Sequence, residues 1–220
     1  MVVFNRQISS KLNLEIIFVD DGSTDLTSQV IHRFLSNENI NFSIIKNRKN
    51  RGKGYSVKRG VLNSKGDMIL FMDADNATRV FEIYNFLPFL NKGYSVIIGT
   101  RGVKSSYVER KNKLRIILSK IYIYLTNVIL GLKFTDITCG FKLFEREVAL
   151  KIFKKAKINK WSFDAEILFL AKIYNYRVKE VPIRWREIKG SRVSLKKDIL
   201  NSLIELFYIR WLSLRGKYQS

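Results

Sequence analysis

The chain has 220 residues, 46% of them hydrophobic, which favours a single domain that buries a core without covalent staples. Its one cysteine, Cys139, excludes an intramolecular disulfide framework, and the sequence contains no Cys/His cluster for structural zinc. The net charge is +21, and residues 101–220 hold 27 of the 40 basic side chains but only 10 of the 19 acidic ones. We therefore expect the second half to meet an anionic partner: nucleic acid, anionic lipid or a phosphate-bearing substrate.

The first hundred residues alternate between short apolar runs and segments with helical spacing. The runs predict buried strands at residues 14–19, 41–45, 67–72 and 94–98. Helical patterns separate them: residues 23–25 offer helix caps before apolar residues that recur at helical spacing from Val30 to Leu35, and two further helices are expected at 52–63 and 81–91. This alternation predicts an α/β fold with a mostly parallel sheet and helices on both faces.

The second half continues the same domain without a linker or a repeat. Apolar stretches at 116–132 and 198–214 are interrupted by polar residues, so neither spans a membrane comfortably, although both could lie in a membrane interface. Residues 135–144 and 178–185 predict strands, the latter at a sheet edge because it contains Pro182. Residues 161–175 predict an amphipathic helix.

Polar residues follow three of the predicted strands. Asp20 and Asp21 follow the first strand, Asp73 and Asp75 the third, and Arg101 the fourth. Ligands of open α/β sheets bind beyond the carboxyl ends of the strands. Any one of these ends alone would be only a turn, but their coincidence predicts a site at one edge of the sheet.

Asp73 and Asp75 flank the small residue Ala74 directly after a buried strand. Two carboxylates so placed suit Mg²⁺ or Mn²⁺, hard cations that prefer oxygen ligands and can hold a diphosphate. An isolated Asp-x-Asp is more often an Asx turn, but the buried strand before it favours the metal site.

Two further segments fit a nucleotide. Asp21 offers an acceptor for a nucleobase imide or a ribose hydroxyl, although a turn followed by a helix cap explains Asp20 and Asp21 equally well. Gly52 and Gly54 permit a ligand to approach the backbone closely. Lys53 between them is placed to neutralise a phosphate or to lie beneath the nucleobase. The spacing is too short for a Walker loop.

Together these motifs resemble those of the GT-A glycosyltransferases of family 2. That family has the pattern Asp-Asp-x-Ser, Asn-x-Gly-x-Gly and Asp-x-Asp, which matches residues 20–23, 50–54 and 73–75. Segments 136–144, 161–166 and 185–192 narrow the resemblance to the dolichyl-phosphate β-glucosyltransferases, whose outline the mannosyltransferases share.

The resemblance implies a Rossmann-like GT-A fold and inverting transfer of glucose from UDP-glucose to a polyprenyl (dolichyl) phosphate. It implies that Asp73 and Asp75 bind Mg²⁺ or Mn²⁺ on the donor diphosphate, and that Asp20, Asp21 and the Gly52–Gly54 loop bind the nucleotide. An acceptor phosphate has its second pKa near ~6 and is largely dianionic at neutral pH, so no strong general base is required.

Four cations complete the site that the resemblance implies. Arg101 and Arg115 match the family's acceptor-phosphate arginines, while Lys189 and Arg192 would close over the diphosphate. Three carboxylates are either orienting groups for the reaction or structural partners, and the sequence leaves both open: Asp136, Asp164 and Glu166.

The expected organisation is one catalytic domain over residues 1–220. Residues 1–100 form the nucleotide-sugar half, 101–197 the acceptor half, and 198–220 a C-terminal amphipathic helix. A lipid acceptor and a basic second half predict peripheral contact with the cytoplasmic face of a membrane, and no nucleic-acid partner. The membrane would be the endoplasmic reticulum in a eukaryote and the plasma membrane in a prokaryote.

The chain departs from the family at its beginning. Members begin with a strand and a Pro-x-Tyr-Asn-Glu-type turn, whereas 13 residues precede the strand at Leu14, so we expect the first strand to be missing. The alternatives are a GDP-mannose enzyme, a family 2 transferase for a surface polysaccharide, an inactive truncated transferase, and a basic nucleic-acid-binding protein.

Overall fold

A computed structural model describes residues 13–38, 40–90, 92–109, 113–188 and 195–219, and for residues 113, 115 and 195–199 it describes the backbone alone. The helices are α1 (Thr27–Leu35), α2 (Lys53–Asn63), α3 (Leu87–Leu90), α4 (Lys113–Leu130), α5 (Arg146–Lys155), α6 (Phe163–Ile173) and α7 (Leu195–Leu214). The strands are β1 (Glu15–Asp20), β2 (Asn41–Lys46), β3 (Met68–Met72), β4 (Val96–Thr100), β5 (Tyr107–Glu109), β6 (Phe141–Glu145), β7 (Val178–Pro182) and β8 (Arg184–Arg186).

The central sheet has the strand order β3, β6, β4, β7. β4 and β7 are parallel, whereas β6 runs antiparallel to both β3 and β4. β3, β4 and β7 therefore share one direction and their carboxyl ends lie at one edge, as predicted. Pro182 lies on the outer strand, opposite Thr100, which confirms the predicted edge position.

β1 and β2 form a separate parallel pair, in register from Glu15 opposite Asn41 to Asp20 opposite Lys46. Helix α2 contacts β1 and β3 and so joins this pair to the central sheet. In the described part of the chain β1 pairs only with β2, and β3 only with β6. Residues 1–12, on which the expectation of a missing first strand depends, lie outside the described residues.

Apolar side chains cover both faces of the central sheet, as predicted. On one face Val96, Ile98 and Phe144 pack with residues of α5, α6 and α7 in the larger core cluster. On the other face Ile97 and Phe141 pack in a second cluster. This alternation along β4 is the period of two that a strand imposes on its side chains.

Several elements differ from the prediction, and the strand expected at 178–185 is divided into β7 and β8. The helix expected at 81–91 is divided into a 3₁₀ helix, Val80–Asn85, and α3, which begins one residue before Pro88, where proline is tolerated. The strand expected at 135–144 begins only at Phe141, because residues 135–140 form an irregular segment that turns Asp136 towards Arg101. Helix α5 was not predicted. In the part of the chain that the structure describes, no helix is long and apolar enough to cross a membrane.

Candidate active site

The carboxylate of Asp21 fixes the loop that leads into α2. Its Oδ1 accepts hydrogen bonds from the Arg51 amide at 2.8 Å and from Asn47 Nδ2 at 2.7 Å, and its Oδ2 accepts one from the Gly52 amide at 2.8 Å. Asp20 is buried and accepts hydrogen bonds from Ser23 N at 2.8 Å and Ser28 Oγ at 2.5 Å. Both carboxylates therefore organise their surroundings, a role that the sequence left open beside nucleotide binding.

The two glycines of the loop allow the second half of the chain to approach it closely. Gly52 has φ +101°, and a Cβ there would lie 2.4 Å from the carbonyl oxygen of Asn159. A Cβ at Gly54 would lie 2.6 Å from Cβ of Phe163. The close approach predicted for a ligand is thus also needed for packing against residues 158–163, which no local sequence signal indicated.

Lys53 reaches from the start of α2 to the end of β3. Its Nζ lies 2.6 Å from Oδ1 of Asp73, and the Asp73 side chain is 39% exposed. Burial alone would lower the pKa of Lys53, but the carboxylates of Asp73 and Asp164 outweigh burial and raise it. The ammonium therefore remains charged beside the predicted diphosphate site.

Asp73 and Asp75 keep oxygen atoms available to a ligand. Asp75 is exposed, and its Oδ1 accepts the Ala77 amide at 3.0 Å in an Asx turn. The metal site and the turn, weighed as alternatives from the sequence, are therefore compatible. Within the described residues, Oδ2 of Asp73 and Oδ2 of Asp75 have no hydrogen-bond donor.

The residues present fit a hard divalent cation that is shared with a ligand. Asp73 and Asp75 supply the carboxylate oxygens that Mg²⁺ and Mn²⁺ prefer. No cluster of three or more His, Cys, Asp or Glu side chains suited to a metal occurs among the described residues. The chain thus offers a partial coordination shell, which a diphosphate and water would complete.

Gly140, the residue before the neighbouring strand β6, keeps Asp73 in place. The Asp73 amide donates to the Gly140 carbonyl at 2.9 Å, and a Cβ on Gly140 would lie 2.1 Å from Oδ2 of Asp73. Only a glycine at this position leaves room for the carboxylate.

Arg101, at the end of β4, forms a two-point ion pair with the buried Asp136. Its Nε lies 2.6 Å from Oδ2 of Asp136, and its Nη2 lies 3.0 Å from Oδ1 and 2.9 Å from Oγ1 of Thr138. Burial alone would raise the pKa of Asp136, but the guanidinium overrides this and lowers it. Asp73 is near enough to help raise the pKa of Arg101, so the charged groups at the ends of β3 and β4 interact.

A second buried ion pair, which the sequence did not indicate, lies behind Lys53. Lys142 is fully buried, contacts Asp164 Oδ1 and donates from Nζ to the Cys139 carbonyl at 2.5 Å. Burial raises the pKa of Asp164, and the ammonium groups of Lys142 and Lys53 offset part of that rise. Asp164 therefore supports the site electrostatically from inside the core.

Glu166 is a structural carboxylate. It is buried and accepts hydrogen bonds from the amides of Lys157 and Ile158 at 2.8 Å each, and from the Tyr218 hydroxyl at 2.6 Å. These bonds fix the segment that faces the glycine loop.

Three of the predicted cations have undescribed side chains. Arg115 lies in the first turn of α4 and only its backbone is described, and Lys189 and Arg192 lie outside the described residues. Their predicted roles at the acceptor phosphate and the diphosphate stay predictions.

These elements match a known protein family. Residues 3–153 match the sequence profile of glycosyl transferase family 2. The chain belongs to that family, and the GT-A-like arrangement of its strands and helices confirms the predicted fold.

Curated relatives narrow the comparison. The chain is 35% identical over 215 residues to the dolichyl-phosphate beta-glucosyltransferase of Dictyostelium discoideum, with 94% of this chain and 65% of the relative covered. It is 36% identical to the enzyme of that name from Saccharomyces cerevisiae and 30% identical to that from Homo sapiens, each with 93% of this chain and 66% of the relative covered. The chain therefore spans about two thirds of the length of these relatives.

Solved structures support the fold. Glucosyl-3-phosphoglycerate synthase from Mycobacterium tuberculosis, in complex with Mn²⁺, UDP-glucose and phosphoglyceric acid, superposes with a TM-score of 0.64 at 14% identity. The match covers 89% of this chain and 68% of the synthase. At that identity the likeness establishes the architecture alone.

Proposed function

We propose that this protein transfers glucose, with inversion, from UDP-glucose to a polyprenyl phosphate of the dolichyl type. The observation that carries the proposal is the open carboxylate pair Asp73 and Asp75 at the end of β3, with Lys53 beside it. The three curated relatives named above are dolichyl-phosphate glucosyltransferases, which supports the sugar and the acceptor. The Mycobacterium tuberculosis synthase binds Mn²⁺ and UDP-glucose, which supports the donor and a divalent metal.

Each group at the site has a task in this proposal. Asp73 and Asp75 would hold Mg²⁺ or Mn²⁺, which when bound neutralises charge on the leaving diphosphate. Lys53 adds a fixed positive charge at the same place, and Asp21 holds the glycine loop against which the uridine would bind. These groups act by positioning and by electrostatic stabilisation.

The acceptor needs little activation, because a phosphate monoester is largely dianionic at neutral pH. We assign its recognition to Arg101 and Arg115. The pairing with Asp136 fixes Nε and Nη2 of Arg101, so its remaining nitrogen, Nη1, is the one we assign to the acceptor phosphate. Lys189 and Arg192 are assigned to the donor diphosphate, and Asp164 to electrostatic support of Lys53.

A lipid acceptor also implies a location in the cell. We propose that the protein contacts the cytoplasmic face of a membrane peripherally, the endoplasmic reticulum if the cell is eukaryotic and the plasma membrane if it is prokaryotic. Residues 1–100 would serve the nucleotide sugar, residues 101–197 the acceptor, and the helix within 198–220 the membrane contact.

The test is transfer from radiolabelled UDP-glucose or GDP-mannose to dolichyl phosphate, with and without Mn²⁺. We expect metal-dependent transfer from UDP-glucose, and a loss of about a hundredfold or more in kcat/KM for Asp75→Ala, because a metal clamp on a leaving group contributes at least that much. Asp67→Ala is the matched control, since Asp67 is an exposed aspartate at the other end of β3. Transfer from GDP-mannose alone, or a fully active Asp75→Ala variant, would overturn the proposal.

A further inference from the structure

Helices α4 and α7 carry large apolar side chains that point away from the core. On α4 they recur every three or four residues, at Leu114, Ile117, Ile121, Tyr124 and Val128. On α7 they recur in the same way, at Leu200, Ile204, Phe207, Trp211 and Leu214. Residues so spaced share one face of a helix, so each helix presents a continuous apolar stripe.

The two stripes form one surface. The opposite sides of the helices, with Leu130 on α4 and Leu206 and Ile209 on α7, pack into the same core cluster. The helices also contact each other. Because neighbouring helices on one core turn their outer sides the same way, the ten residues make a common outward surface, which we call the α4–α7 face. A contiguous exposed apolar patch marks an interaction site.

The charges around this surface match an anionic partner. The sequence of α4 contains three Lys or Arg and no acidic residue, and the sequence of α7 contains three against two acidic ones. Lys120, Arg210 and Arg215 are exposed beside the stripes. Glu205, the one acidic residue of α7 whose side chain is described, turns inward and accepts the Ser162 amide at 3.1 Å.

Aromatic side chains complete the pattern. Tyr208 and Trp211 stack with ring centroids 5.7 Å apart, and the Arg215 guanidinium lies 5.6 Å from the Trp211 ring. Tyr and Trp beside cationic groups are typical of the zone where lipid headgroups meet acyl chains. A protein partner would explain the apolar stripes, but a basic rim without described outward carboxylates favours lipid.

We propose that the α4–α7 face docks on a lipid bilayer whose headgroups are anionic. The surface is argued from the helices alone, and only its use in presenting a lipid acceptor rests on the proposed function. Hydrogen bonds through Ser162 connect both helices to the segment beside the active site. Tyr122 of α4 donates to Ser162 Oγ at 3.2 Å, and Ser162 Oγ donates to the Ser202 carbonyl of α7 at 3.0 Å. Ser162 directly precedes Phe163 and Asp164, which lie beside Lys53, so the docking face is tied to the site.

The test uses phosphatidylcholine vesicles with and without phosphatidylserine, and the double variant Val128→Glu/Phe207→Glu. The matched control is Val30→Glu/Phe34→Glu on α1, which changes the same residue types and the same charge. The exposures agree closely, at 62% for both valines and at 63% and 57% for Phe207 and Phe34. We expect salt-sensitive binding to phosphatidylserine vesicles that falls roughly tenfold or more in the first variant and less than about twofold in the control.

Two further measurements distinguish a lipid bilayer from a second copy of the chain as the partner of this face. Brominated lipid should quench tryptophan fluorescence in the wild-type chain, and Trp211→Phe should remove most of that quenching. Equal losses in both double variants, or no vesicle binding by the wild type, would overturn the proposal. So would a wild-type dimer that Val128→Glu/Phe207→Glu converts to monomer in sedimentation velocity, because a second copy would then cover the face.

Docking and catalysis can fail separately. Transfer to a short, water-soluble isoprenoid phosphate without vesicles should be unchanged in Val128→Glu/Phe207→Glu. Vesicle binding without any transfer by the wild type would contradict the proposed function alone. Transfer to the soluble acceptor without vesicle binding would contradict the docking of the α4–α7 face and the peripheral membrane contact, but not the proposed transfer reaction.

Discussion

The strand ends after β1 and β3 carry the same chemistry, two aspartates each, but the protein uses them differently. Asp20 and Asp21 have both carboxylate oxygens bonded to neighbouring donors, including the amides of Arg51 and Gly52. Asp73 and Asp75 each keep an oxygen without a donor among the described residues. The first pair builds the wall of the site, and the second pair is left for a ligand.

The end of β4 resembles the end of β1: its polar side chains are paired within the protein, and we call such ends closed and the end of β3 open. Arg101 was predicted to bind the acceptor, and the structure gives two of its nitrogens to Asp136. Such a pair is costly to break, because removal of one partner leaves a charge uncompensated in a low dielectric. Polar groups at one sheet edge therefore divide into atoms that are paired within the protein and atoms that remain available to a substrate.

The largest effect on stability is expected at the closed end of β4. Asp136→Ala should lower the free energy of unfolding by about 3 kcal/mol, because Arg101 would lose its buried counter-ion. Glu109→Ala removes the partner of Arg186 in an exposed pair 3.2 Å long and should cost less than about 1 kcal/mol. Urea denaturation compares the two. Equal costs would show that the Arg101–Asp136 pair does not hold the site.

The next largest effect is expected at the open end of β3, where Asp73 lies. Gly140→Ala should lower kcat/KM roughly tenfold or more while the fold persists, because a Cβ 2.1 Å from Oδ2 of Asp73 displaces that carboxylate. In the control Gly66→Ala the new Cβ meets the Met68 carbonyl oxygen at 3.3 Å, away from the site. Steady-state transfer kinetics on both variants would test this. Full activity of Gly140→Ala would show that the position of Asp73 is unimportant.

The pH dependence of stability gives a smaller effect. The pKa of Asp136 is lowered by Arg101 from its ordinary value of 3.8. The pair therefore contributes stability that is present above pH 3.8 and is lost as the pH falls towards the folded-state pKa. Melting temperatures measured from neutral pH downward should fall more steeply below that value in the wild type than in Asp136→Ala. Parallel curves would contradict the assigned ion pair.

The smallest effect is expected at the closed end of β1. Asp21→Asn replaces one acceptor oxygen with an amide donor, so it should loosen the loop at Arg51 and Gly52. We expect KM for UDP-glucose to rise severalfold, on the order of 1 kcal/mol, with kcat nearly unchanged. Asp67→Asn is the control. A large fall in kcat would place Asp21 among the groups that contact the reacting atoms.

The sequence predicted the strand ends because apolar runs and turn residues are local signals. It could not predict which polar groups pair, since Asp21 meets Gly52 across 31 residues and Arg101 meets Asp136 across 35. The buried ion pair of Lys142 was missed for the same reason, because a lysine inside an apolar strand reads as a surface residue until its partner Asp164 is known.

Helix α5 was not predicted, although its sequence has a helical pattern of apolar residues. Val148, Ala149, Ile152 and Phe153 are the buried residues of α5, and their spacing is that of one helix face. In contrast, no pattern of the chain showed that Gly52 and Gly54 pack against Asn159 and Phe163, because such close approach depends on the tertiary fold.

The most direct test of the account is calorimetric binding of UDP with and without Mn²⁺ to the wild-type chain, Asp75→Ala and Asp67→Ala. The open carboxylates of Asp73 and Asp75 should make UDP binding metal-dependent in the wild type and in Asp67→Ala. In Asp75→Ala the effect of Mn²⁺ should be lost. Equal stimulation of all three proteins by Mn²⁺ would contradict the assignment of the metal to the end of β3.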